Sequence, residues 1–78
     1  MTTFATTWNE AGDRVRDIAG DLPVYWGTGN PIREPHVVAF TKDSWSGEGQ
    51  GYNVHIYPKG DGYMAPVVIH SVVLRNER

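Results

Sequence analysis

The chain has 78 residues, nine acidic and seven basic side chains, and no cysteine. Disulfides and thiolate metal sites are excluded. A net charge of −2 fits neither a dedicated nucleic-acid binder with a basic face nor a densely acidic nucleic-acid mimic, so no direct nucleic-acid contact is expected. Size scaling predicts roughly 4,700 Å² of folded surface against roughly 12,600 Å² unfolded, enough for one core and too little for a core with a deep cleft.

Residues 1–4 carry neither a basic nor an apolar signal region, and no stretch approaches the ~20 apolar residues of a membrane helix, so a cytoplasmic location is the default. The first element is a helix over 7–19. Thr7-Trp8-Asn9-Glu10 forms a capping box, in which the Thr7 hydroxyl accepts from the Glu10 N–H and the Glu10 carboxylate reaches back. Trp8, Ala11, Val15, Ile18, Ala19 and Leu22 then recur every three or four residues. Asn9, Glu10, Asp13, Arg14, Arg16 and Asp17 form the wet side. Glu10 and Arg14 stand four apart in the favourable order, and Gly20 is placed to end the helix.

Leu22–Trp26 is a short extended segment that Pro23 restricts to a sheet edge or to no strand. Gly27-Thr28-Gly29-Asn30-Pro31 breaks the chain. His36–Thr41 is a strand, Ser44–Gly51 a glycine-rich loop holding Trp45, and Tyr52–Tyr57 an alternating strand. Pro58–Gly62 reads as a hairpin loop. Six of the eight residues from Val67 to Leu74 are apolar, which reads as a final strand. Val68, His70, Val72 and Leu74 share one of its faces; Val67, Ile69, Ser71 and Val73 share the other. Both faces are apolar and both need cover. The expected fold is α+β, one N-terminal amphipathic helix on a three- or four-stranded antiparallel sheet, as a single domain over 1–78.

No catalytic constellation emerges, and the chain is not expected to be an enzyme. His70 and Ser71 are strand neighbours that face opposite ways, so they form no dyad. The acids lie on the helix's wet side or in turns, where solvation accounts for them. Gly47–Gly51 lacks the Gly-Lys-Ser/Thr ending and following helix of a phosphate loop. Gly51, Tyr52 and Tyr57 are similar to three positions of the RNA-reading strand of the RRM family. Gln50, Asn53 and His55 depart from that pattern, only Lys59 is basic nearby, and the β-α-β-β-α-β order is missing.

Six Tyr and Trp residues fall between Tyr25 and Tyr63, many beside glycines. These residue types dominate protein–protein hot spots. Trp8 and Trp26 are assigned to the core, and Trp45 divides evenly between a cover for the sheet and an interface anchor. The candidate interaction surface is Trp45, Tyr52, Tyr57, Tyr63 and Trp26. With no cofactor implied, the expected function is non-enzymatic binding of a larger protein or protein complex. The class-level form of that expectation is a small inhibitor of the anti-CRISPR or anti-defence kind that phages and mobile elements encode. The alternative is a small ligand- or metal-binding module using the strand histidines His36, His55 and His70, since three imidazoles and a water make a workable zinc site. A homodimer through the sheet face is compatible with either.

Overall fold

A computed structural model of the chain describes residues 2–27, 33–42, 49–60 and 66–75. The elements in chain order are β1 (Thr2–Ala5), α1 (Trp8–Ala19), β2 (Val24–Trp26), β3 (His36–Lys42), β4 (Gly51–Tyr57) and β5 (Val68–Leu74). The strands form one sheet in the order β1-β5-β4-β3-β2.

The α+β class and the N-terminal helix stand, but the sheet is five-stranded and mixed rather than three- or four-stranded and antiparallel. Antiparallel pairing holds for β3–β4 and β4–β5, whereas β1 runs parallel to β5 and β2 parallel to β3. Each parallel strand is an edge. β2 begins just after Pro23, whose missing N–H would leave a gap in a central ladder. Here only the Pro23 carbonyl is used, accepting from the Val37 N–H at 2.9 Å.

The helix starts as its sequence dictates. Thr7 is the N-cap, and its hydroxyl accepts from the Glu10 N–H at 3.0 Å. The Glu10 carboxylate is engaged elsewhere than the reciprocal box: Oε2 accepts from the Thr6 hydroxyl at 2.9 Å, and Oε1 pairs with Arg14 at 3.1 Å. Gly20 closes the helix at φ +63°, and its N–H donates to the Arg16 carbonyl.

The helix lies on one face of the sheet, against β1, β4 and β5 and more lightly on β3. Cross-strand register places Thr3, Ala5, Val24, Trp26, Val37, Ala39, Tyr52, Val54, Val72 and Leu74 on that face. The buried core is Ala5, Ala11, Val15, Ala19, Val37, Ala39, Val54 and Val72. All eight are Ala or Val, so the helix rides close to the sheet. Ile18, Leu22, Val24, Tyr52, Ile56 and Leu74 pack around this centre, partly buried.

Candidate interaction surfaces

The two faces of the sheet present different surfaces. On the helix-bearing face, the end of β2 carries Trp26 over Gly12 of the helix: a methyl group built on Gly12 would lie 3.9 Å from the indole. Trp26 thus lies within van der Waals reach of this stretch of the helix. Trp26 meets Tyr52 edge-on at 5.3 Å between ring centres, and Tyr52 meets Trp8 edge-on at 5.4 Å. Such edge-to-face contacts are the favoured arrangement of aromatic pairs. The Arg16 guanidinium lies 5.4 Å from the Trp26 ring, and a cation so placed is attracted to the ring face.

Trp8, Tyr52 and Trp26 thus form a continuous aromatic ridge. Its two indoles are far from buried, 44% exposed at Trp8 and 45% at Trp26, which corrects the assignment of both to the core. Trp8 stands in the first helical turn, where Tyr52 supports one edge of the ring. Trp26 is on an edge strand with only three residues. Hollows flank Trp26. One, about 570 Å³, is lined by Trp26, Gly27, Ala39, Phe40, Thr41 and Tyr52, and another of about 230 Å³ runs between Trp8, Asn9, Gly12 and Arg16.

On the opposite face, Phe4, Tyr25, Phe40, His55, Ile69 and Val73 lie along the sheet with no helix over them. Ile69 is 59% exposed and Phe4 47%. One corner is closed. His36 stacks on Tyr57 at 4.8 Å and 9° and takes the edge of Tyr25. Its Nδ1–H donates to the Glu34 carbonyl at 2.6 Å.

The expected surface residues therefore divide. Trp26 and Tyr52 meet on the ridge, while Tyr57 belongs to the other face. Trp45 and Tyr63 lie outside the described residues. The histidines divide as well. His36 and His55 are on the open face, whereas His70, opposite Val54 on β5, faces the helix side. His70 Nε2 is 2.7 Å from Thr3 Oγ1. The three imidazoles do not converge, and among the described residues no group of three or more His, Cys, Asp or Glu is placed to hold a metal ion.

Sequence periodicity missed Trp8 as a surface residue, and it missed Tyr25, Phe40 and Ile69 as parts of one face. The available signal was β2 itself. Once Val24–Trp26 is read as a strand, Tyr25 and Trp26 must point to opposite faces.

Burial lowers the pKa of both His55 and His70 below the ordinary imidazole value of 6.5. A lowered folded pKa means the unfolded chain binds protons first as pH falls. Stability is therefore held above about pH 6.5 and lost from there down through the two folded pKa values, ahead of carboxylate titration near 4. Thermal melts between pH 8 and 5 are expected to show this decline, and His70→Gln is expected to flatten part of it. A melting temperature independent of pH across that window contradicts the assignment.

Among the described residues, no helix is long and apolar enough to cross a membrane. Comparison with known proteins adds no relative: no family model, no curated protein and no solved structure gives a significant match to the chain.

Proposed function

We propose that the chain is a non-enzymatic protein-binding module whose contact surface is the Trp8–Tyr52–Trp26 ridge with Arg16. The observation that carries this reading is the exposure of two tryptophans, each nearly half open, on the side of the molecule that already has its own cover. A large apolar ring left in water on a small protein is costly unless something else buries it. Trp, Tyr and Arg are the residue types that concentrate binding energy at interface centres. Asp13 stands beside the ridge, 3.7 Å from Arg16, and a carboxylate there favours a partner with basic side chains at the border of its contact patch.

The narrower form of the proposal is an inhibitor that blocks a surface of a larger host protein complex. Small size and the lack of a catalytic constellation support it, because obstruction needs only shape, aromatic anchors and complementary charge. Affinity capture with the tagged chain, read by mass spectrometry and followed by titration of the captured partner, tests the reading. Trp26→Ala is expected to weaken that binding by ~2 kcal/mol or more while circular dichroism stays that of the parent. Undiminished affinity in this variant removes the ridge from the interface.

A further inference from the structure

The open face of the sheet is a second surface, independent of the ridge and on the other side of the molecule. Its composition is unlike the rest of the chain. Charged residues make up 21% of the sequence, yet among the strand residues on this face the only permanent charge is Lys42, itself buried at 6% exposure; just past β5, the Arg75 guanidinium lies 4.3 Å from the Phe4 ring at the edge of the face. What remains is apolar or uncharged: Phe4, Tyr25, Phe40, His55 and Ile69, with Asn53 opposite Ser71 near the middle. Depletion of charge is the compositional mark of an interface core.

The core on the helix side raises the same question from another direction. Its fully buried members are only Ala and Val, while Phe4, Tyr25 and Ile69 on the open face are 43–59% exposed. Small domains lacking a large core need a staple. The chain has no cysteine, and among the described residues no cluster could hold a metal. Association is one staple open to such a chain.

We infer that this face is the interface of a homodimer, in which two copies pack their open sheets against each other as a two-layer sandwich around Ile69, Phe40 and Tyr25. Three features favour a second copy over another protein. Charge on the face is confined to buried Lys42 and to Arg75 at the β1 edge, over Phe4, so two identical faces whose β1 edges lie apart meet without the like-charge repulsion that a central acidic or basic patch would create. Its uncharged polar pair, Asn53 and Ser71, has both donors and acceptors and can satisfy its own image across a two-fold axis. Its size also suffices. Five strands about 4.8 Å apart and up to seven residues long at about 3.3 Å each outline roughly 500 Å² before side-chain relief is added. That is of the same order as the ~800 Å² per partner of a standard interface. Sheets packed this way sit about 10 Å apart with strands crossing near 30°, which leaves both ridges on the outside.

Sedimentation velocity and light scattering over a range from ~1 µM to ~1 mM test the inference; an interface of this size is expected to dissociate at roughly 10–100 µM. The mass is expected to rise from 8.7 kDa towards twice that value, and the melting temperature to rise with concentration. Ile69→Lys places a charge in the interface twice by symmetry, so it is expected to weaken dimerisation by roughly 100-fold or more and leave an 8.7 kDa species with the parent's circular dichroism. Ile69→Thr, a milder change at a half-exposed position, is expected to weaken dimerisation while folding normally, and it decides the matter if the lysine variant does not fold. Trp26→Ala is expected to leave dimerisation unchanged, so loss of partner binding and loss of the dimer are read separately. A parent that stays at monomer mass to ~1 mM overturns the inference, even if another protein is later found on this face. So does a dimer that survives Ile69→Lys or Ile69→Thr, because its interface then lies elsewhere.

Discussion

Gly51→Ala is expected to lose about 4 kcal/mol of stability, approaching the whole of what a domain of this size holds. Gly51 opens β4 at φ +143°, a conformation that side-chain-bearing residues rarely adopt. A Cβ built there would stand 1.8 Å from the Val72 carbonyl oxygen and 3.1 Å from the Val73 Cα. The obstacle is backbone of the neighbouring strand, not the tip of a side chain that can swing away. Relief requires β4 and β5 to part where Gly51 pairs with Val73, beside the core residue Val72.

For a chain of this length each kcal/mol shifts the melting point by roughly 4–8 °C, so a fall of about 16–30 °C is expected. Gly49→Ala is the natural control. Gly49 also has positive φ, +87°, but its added Cβ would meet only the Val73 side chain at 3.8 Å. It should therefore show backbone strain alone, about 1 kcal/mol. Melts that place the two variants within a few degrees of each other would falsify the steric account.

Ala11→Leu is expected to cost about 3 kcal/mol. Ala11 is fully buried on the helix, and the positions it shares the core with are Val15, Ala19, Val37, Ala39, Val54 and Val72. The fully buried layer under the helix is all Ala and Val, with larger side chains only packed around it, so three added carbons are expected to lift the helix from β1, β4 and β5. The same lift would separate Gly12 from Trp26 and loosen the ridge. Urea unfolding should show a lower midpoint with an unchanged slope. Asn9→Leu, on the exposed side of the same helix, should stay within ~0.5 kcal/mol of the parent. An Ala11→Leu midpoint equal to that of Asn9→Leu would mean that the helix–sheet gap has room the structure does not show.

Local chemistry made much of this fold legible. The Thr7 cap, the Glu10–Arg14 pair and Gly20 act within a few residues of each other, so the helix could be placed from sequence. β3, β4 and β5 carry the alternation and the Val content that strands require. β1 could not be read the same way. Thr2-Thr3-Phe4-Ala5 is four residues long without a decisive pattern, and it becomes a strand only because β5 offers it a parallel partner. The ridge was half legible. Trp26 and Tyr52 stood out as interface types, but their meeting depends on β2 lying beside β3 and β3 beside β4. For the histidines, spacing left convergence open, and strand register decided it by sending His70 to the face opposite His55.

The pairing of β1 with β5 sets an order on how the sheet closes. Thr2 lies opposite Ser71 and Phe4 opposite Val73, so the first strand has no ladder to join until the last one exists. On a ribosome, everything between Thr2 and Ser71 must be made before those hydrogen bonds have a second party. If nothing between were yet ordered, bringing together residues 69 apart (71 minus 2) would cost roughly 1.7 kcal/mol more entropy than a ten-residue hairpin. The β3–β4 and β4–β5 ladders, each joining consecutive strands, shorten that loop as they form. β1 is thus made ahead of the other four strands of this sheet, yet its place depends on β5, which is made after them.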